Sequence, residues 1–503
     1  MIVNRPYGDP LKQASIFCLA TAALVYLGYL IHAINVDRVL FADGANFFVK
    51  LLTTRDYSWL VADDPKHIRL FVNSINQFPV ALALDLGIVD LRILKLLFGA
   101  GLFLTPLIFQ FYCLHLSYRA NDYRVFAFLI ANLVTCAMPS QIFILNQSFT
   151  SLAIGWISIH YLFLDLKIKW WDWVVVTIVS ILLFRSHESM TIWGGIIFVG
   201  SAAVIFFKNS ENQDSDHHSI KKLFYCLIGV FGALQCAFAL NWQFQHPLKQ
   251  ETREFLELLV LLNPSELWIG NTRISVAITM AISLLFLSQE IRDRALVGKR
   301  TIDFLTFTGI ICLLGIVLFT GSAALFDFNL TNPGREFYYR ILIPFGSSGW
   351  MLVAMAFILA NKTLRGNAKN MLSIVFSFGV IATSMWQLSN SIQWSIFTNS
   401  VSEVMRTSSK SVVDPIEVQQ YLAEIGREDI YKYRWNWAWP VLGMSLQEIG
   451  RVKKMYKPEI GFEQFFDPPN RLPFVIVSLD EEEGDELGIF KFDDFNLSRE
   501  TDQ

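Results

Sequence analysis

Leu70–Gly87, LFVNSINQFPVALALDLG, is the stretch whose reading decides the fold. Asn73, Asn76, Gln77, Pro79 and Asp85 interrupt an otherwise apolar run, so hydropathy alone leaves open whether it crosses a membrane. If it crosses, every later loop changes side, and the basic residues arbitrate. If it does not cross, Arg119 and Arg124, Lys167 and Lys169, Lys208, Lys221 and Lys222 all join Arg5 and Lys12 on one side. So do Arg292, Arg294, Lys299 and Arg300, then Lys362, Arg365 and Lys369. Lys and Arg of short loops collect on the cytoplasmic side, so Leu70–Gly87 is read as an amphipathic helix at the outer interface or a re-entrant segment buried in protein.

Around that stretch the composition is that of a membrane protein. The chain has 503 residues, 53% of them hydrophobic and 17% charged, with a mean hydropathy of +0.41; a soluble domain carries about 25% charged residues. Runs of about 20 apolar residues, enough to cross a core of about 30 Å, predict helices near 14–36, 92–117, 125–138, 141–164, 172–185, 189–207, 223–242, 268–289, 304–326, 341–361 and 371–389. The expected fold is an all-α polytopic membrane protein of about eleven spans. The third and fifth runs are short for a crossing, and the first is read as a retained span rather than a cleaved signal. The net charge of -3 hides an asymmetry of basic loops and acidic segments and excludes a nucleic-acid footprint. All six cysteines fall in apolar runs, which supports neither a disulfide framework nor a thiolate metal site.

The expected division is a transmembrane domain over 1–389, with an extracytosolic loop over 37–91, and an extracytosolic C-terminal region over 390–503. Residues 208–222, KNSENQDSDHHSIKK, read as a disordered cytoplasmic loop whose His217 and His218 are solvated. In the tail, Pro415–Gly426 has helical spacing, while Leu472–Leu479 and Leu487–Phe492 read as strands. Together they suggest a small α+β appendage. Trp435, Trp437 and Trp439 alternate as on an extended segment, suited to an interfacial anchor or the appendage's own core.

With this topology the outer face collects the loop after the first helix, the Arg185-Ser186-His187-Glu188 turn, Asn241–Leu267, Asn329–Arg340 and the tail. Asp43 has two readings: an N-cap for the helical run that follows, or a carboxylate that takes a proton from an acceptor hydroxyl or holds a metal. Asp63 and Asp64 form an adjacent acidic pair before Pro65, read as substrate-binding or as a turn. Arg185, His187 and Glu188 either close an interfacial turn or meet a phosphate or sugar hydroxyl. Arg335, Tyr338 and Arg340 suit a lipid phosphate, since guanidinium forks match phosphate oxygens and tyrosine sits well at headgroup level. The alternative there is a Glu336–Arg340 pair one helical turn apart.

One acid in the first extracytosolic loop, an interfacial helix after it, about eleven spans and an outer C-terminal portion together resemble the GT-C superfamily of integral-membrane glycosyltransferases. The resemblance implies transfer of a sugar from a polyprenyl-phosphate-linked donor to a glycan, lipid or protein acceptor on the outer face. It places the loop acid at Asp43 within Ala42-Asp43-Gly44, and a divalent metal is compatible with that chemistry. Many members carry two adjacent acids there; in this chain the adjacent pair is Asp63-Asp64. A polymerase or ligase of lipid-linked glycans, a transporter or flippase, and a non-catalytic scaffold are the other classes considered. The first usually relies on a large outer loop, and Asn241–Leu267 is short. A transporter places ionisable groups at mid-bilayer on broken helices, whereas these lie at helix ends. The expected setting is a bacterial cytoplasmic (inner) membrane, with the N-terminus cytoplasmic and the C-terminus extracytosolic.

Overall fold

The computed structural model describes residues 10–41, 43–53, 68–138, 147–208, 216–245, 346–359, 367–410, 412–435, 438–447, 451–452, 454–456, 486–487 and 490–492. These are mostly helical. The helices are α1 Pro10–Asn35, α2 Asp43–Thr53, α3 Leu70–Asp85, α4 Leu91–Ala120, α5 Arg124–Asn132, α6 Gln147–Phe163, α7 Trp170–Phe184, α8 Met190–Ala203, α9 Asp216–Gln245, α10 Ser347–Leu359, α11 Asn367–Thr407, α12 Pro415–Glu424 and α13 Trp439–Ser445. Among the described residues, four stretches are long and apolar enough to cross a membrane: Pro10–Asn35, Leu91–Ala120, Ser219–Gln245 and Leu372–Thr407. The runs expected at 268–289 and 304–326, and the strand expected at 472–479, lie outside the described residues.

The chain divides into two compact units. The first comprises Met1–Tyr29, Pro106–Ile142 and Gln147–Gln387; the second comprises Leu30–Thr105, Phe143–Asn146 and Leu388–Gln503. The boundary expected at 389/390 therefore falls inside α11, which runs unbroken through it. Asn390, Ser391 and Gln393 end the hydropathic run, but their side chains accept hydrogen bonds within the fold, so the helix does not stop where its apolar character does.

In the first unit α6 is buried on every side. Around it, polar groups fasten helix to helix, as apolar helices without a hydrophobic drive between them require. Ser347 Oγ donates to Asn132 Oδ1 at 2.9 Å, and the Trp350 indole donates to Thr135 Oγ1 at 2.8 Å. Thr135 lies on a π turn, Leu133–Ala137, that continues α5. Small residues let α8 and α9 approach: a Cβ on Gly194 would stand 2.7 Å from the carbonyl oxygen of Gly232. The expected disorder of 208–222 is corrected in part. A π turn ends the α8 run over Val204–Lys208, and α9 already begins at Asp216, two turns ahead of the apolar run that starts at Leu223.

In the second unit the first half of α4 is the common neighbour. Phe98 packs on Phe48 of α2 with ring centroids 5.3 Å apart, and Gly99 meets Ile34 at the end of α1. Gly101 meets α3 so closely that a Cβ there would overlap the carbonyl oxygen of Asn76. The decisive stretch of the sequence is thus a helix, α3, with Pro79 inside it. Its Asn73, Asn76 and Gln77 are each 1% exposed, so its amides face protein, not headgroups or solvent. The last turns of α11 pack against the tail: the Trp439 ring lies tilted to that of Tyr456 with centroids 5.2 Å apart, and the Tyr456 hydroxyl donates to Val401 O at 2.7 Å. Lys454 donates to the carbonyls of Arg406 and Ser408, placing a cation at the C-terminal end of α11. Trp439 opens the buried helix α13 rather than continuing a strand. Two short sheets complete the unit. Val412–Val413 pairs in parallel with Met455–Tyr456, while Phe490–Phe492 lies between Arg451–Val452 and Glu486–Leu487.

Candidate functional site

Where α1 ends, the chain turns through Asp37 in the left-handed conformation, φ 53 and ψ 36. Asp tolerates this region better than most residues because its short polar side chain bonds locally. The turn is held at the Asp37 carbonyl, which accepts the Leu40 N–H at 3.0 Å and the Trp394 indole N–H at 3.2 Å. It brings the carboxylate to Lys95 of α4, with Nζ 2.7 Å from Oδ2. The pair is largely enclosed, at 10% side-chain exposure for Lys95 and 19% for Asp37. Among the described residues no other group donates to this carboxylate. Burial raises the Asp37 carboxyl above the ordinary carboxylate range, with the charge and hydrogen bonding of Lys95 acting in the opposite sense.

Arg38, the next residue, is 2% exposed and donates from Nη1 to Ser391 Oγ at 2.8 Å. Phe41 follows, edge-on to both Trp394 at 5.5 Å and Trp435 at 5.8 Å. Trp394 also meets Tyr433, whose hydroxyl donates to Gln393 Oε1 at 2.9 Å and Asn390 Oδ1 at 3.2 Å. The stretch from Asp37 to Phe41 is therefore fixed by α4, α11 and the tail within one unit. Asp43 stands six residues beyond Asp37, half-buried in the first turn of α2, where a carboxylate complements the free N–H groups.

A second paired acid lies in the first unit. Asp172, in the first turn of α7, has no side-chain exposure and accepts four hydrogen bonds. Arg119 grips it bidentately at 2.7 and 2.9 Å, Tyr161 Oη donates at 2.8 Å and the Lys169 N–H at 2.8 Å. Tyr112 Oη adds a 2.7 Å contact to Tyr161. This carboxylate is saturated, and it joins α4, α6 and α7.

The turn expected to hold Arg185, His187 and Glu188 also belongs to the first unit, between α7 and α8. The Ser189 N–H donates to His187 Nδ1 at 3.1 Å, so Nδ1 is an acceptor and the ring proton of the neutral imidazole sits on Nε2, 3.4 Å from Glu188 Oε2. The imidazole stacks on Trp193 at 6.4 Å, and Gln243 donates to the Glu188 carbonyl at 3.1 Å. Glu188 thus pairs with His187. Asp63, Asp64, Arg335, Tyr338 and Arg340 lie outside the described residues. Among the described residues no three His, Cys, Asp or Glu side chains group as metal ligands.

Sequence reasoning passed over Asp37, Arg38 and Lys95. Lys95 carries a signal: a cation that opens the apolar run KLLFGAGLFL is costly there unless an acid meets it. No protein-family model, curated protein or solved structure matches the chain.

Proposed function

We propose that this protein is an integral-membrane glycosyltransferase that moves a hexosyl or pentosyl group from a polyprenyl-phosphate-linked donor to a hydroxyl of a glycan, lipid or protein acceptor at the extracytosolic face. The observation that carries the reading is the carboxylate of Asp37 directly beyond the first long apolar helix, met among the described residues by Lys95 alone and enclosed enough to raise its pKa. A base with a pKa nearer neutrality removes a hydroxyl proton more effectively than an ordinary carboxylate.

In this scheme the acceptor oxygen attacks the anomeric carbon while its proton passes to Asp37. The bond from that carbon to the donor's phosphate oxygen breaks, and the polyprenyl phosphate leaves with the electron pair. Lys95 is a positioning residue, holding Oδ2 so that Oδ1 meets the acceptor. Asp43, expected from the sequence to be the catalytic acid, is the second acid of the same segment; in this scheme it passes the proton-accepting role to Asp37 and is assigned to binding the acceptor or a divalent ion. Arg335, Tyr338 and Arg340 are assigned to the donor phosphate, where guanidinium groups offset the growing charge of the leaving group. Asp63 and Asp64 remain proposed substrate contacts. The observed bonding of His187 and Glu188 favours a structural turn, so they and Arg185 are assigned no step.

Purified protein in nanodiscs, supplied with radiolabelled polyprenyl-phosphate sugars and a panel of acceptors, tests the assignment. Asp37→Asn is expected to lower turnover per folded molecule by about 10²–10⁴-fold, with some loss of Tm because Lys95 loses its carboxylate, and Asp43→Asn to lower turnover by less. Turnover retained in Asp37→Asn but lost in Asp43→Asn returns the acid role to Asp43. Turnover retained in both removes it from this segment.

A further inference from the structure

At the end of α4 and the start of α7, two lysines have no carboxylate partner among the described residues. Asp172 is occupied by Arg119, and Asp165 is paired with Lys221 at 2.7 Å. Lys167 and Lys169 have no acidic partner among the described residues. Lys169 Nζ instead lies 4.5 Å from the centre of the Trp171 ring, and the Arg119 guanidinium is 5.9 Å from the same ring. Arg119 also donates to the Lys167 carbonyl at 3.3 Å, which ties the lysine segment to this rim. Trp170, 75% exposed, meets Trp171 edge-on at 6.0 Å. From Trp170 an exposed apolar stripe continues along α7 through Val174, Ile178 and Ile181, at successive helical turns.

We infer that this rim binds the headgroup of an anionic phospholipid, with an acyl chain lying along the α7 stripe. The cations are compact ammonium groups suited to one phosphate, and the aromatic side chains have the amphipathic character found at membrane–water interfaces. A soluble anion would use the lysines but leave the apolar stripe bare, whereas a phospholipid covers both. A zwitterionic choline headgroup would set its own cation against Lys167 and Lys169. Each lysine near an anionic headgroup contributes about fivefold to the preference, the equivalent of about 1 kcal/mol.

Native mass spectrometry of the detergent-purified protein, titrated with phosphatidylglycerol or phosphatidylcholine of the same acyl chains, reads this directly. The wild type is expected to retain phosphatidylglycerol preferentially. The Lys167→Gln/Lys169→Gln double variant should lower that preference about 25-fold, with an unchanged lipid-free Tm showing that the fold is intact. Lys222→Gln, an exposed lysine at the start of α9, should leave it unchanged. Excess inorganic phosphate should not displace the lipid. No preference in the wild type, an unaltered preference in the double variant, an equal loss in Lys222→Gln, or displacement by phosphate would each overturn the site. None of these readouts depends on sugar transfer.

Discussion

Asp37 and Asp172 are each paired with a cation of α4, and the two pairs differ in how completely the carboxylate is satisfied among the described residues. Asp172 receives both nitrogens of Arg119, a tyrosine hydroxyl and a backbone N–H, and no part of its side chain is exposed. Among the described residues Asp37 receives Lys95 alone, and it remains 19% exposed. A closed carboxylate has spent its acceptor capacity on holding helices together. An open one, desolvated enough to raise its pKa, has capacity left for a hydroxyl proton. Ion pairing by itself therefore does not tell these two acids apart; the donors each receives among the described residues do.

The largest effect expected from this contrast is at the closed pair. Asp172→Ala leaves Arg119 largely buried without its carboxylate and removes the acceptor of the Tyr161 hydroxyl. It should destabilise the first unit by about 3–5 kcal/mol, seen as a lowered Tm in detergent. A change below about 1 kcal/mol, the range of exposed pairs, would show that the clamp contributes little.

Lys95→Met sharpens the open side. It strips Asp37 of its cation at similar side-chain length, and should cost about 1–3 kcal/mol while lowering transfer through misorientation of the acid. Stability lost without any effect on transfer would make the pair structural, like Asp172. Gly101→Ala tests the scaffold that places Lys95. The added methyl meets the backbone of Asn76 rather than a movable side chain, so about 1–3 kcal/mol should be lost from the second unit. An unchanged Tm would contradict the close α3–α4 approach.

The smallest effect is a pH dependence. Burial raises the Asp37 carboxyl above its unfolded value of about 3.9, so the folded chain holds this proton more readily than the unfolded one. Its contribution favours folding below the unfolded pKa and is lost as pH rises through the folded pKa. The Tm of the wild type relative to Asp37→Asn should therefore fall over the interval in which pH rises above about 4. A difference that grows across that interval would mean that Lys95 outweighs burial.

Much of the helical frame is legible in the residues themselves. The apolar runs near 14–36 and 92–117 are α1 and α4, and Asp414-Pro415 through Gly426 frames α12 with a side-chain cap, with Oδ1 of Asp414 accepting the Ile416 N–H at 3.0 Å. Helix ends are less legible where hydropathy and hydrogen bonding part company. α11 runs on to Thr407 because Ser391 and Gln393 find partners in the fold. The site is the least legible part. Asp43 stands out locally by its glycine and the helix it begins, whereas the case for Asp37 depends on a left-handed turn and on Lys95, 58 positions away along the chain. Asp172 is hidden in the same way, since nothing in Trp171-Asp172-Trp173 announces Arg119 on a different helix.

The contrast between the two acids can be read without a substrate. N,N′-dicyclohexylcarbodiimide adds to protonated, accessible carboxyl groups, and peptide mass spectrometry locates the adduct. Modification is expected at Asp37, declining as pH rises, and not at Asp172. Labelling of Asp172 at an equal rate, or none at Asp37 under conditions that label other carboxyls of the chain, would contradict the open and closed assignment.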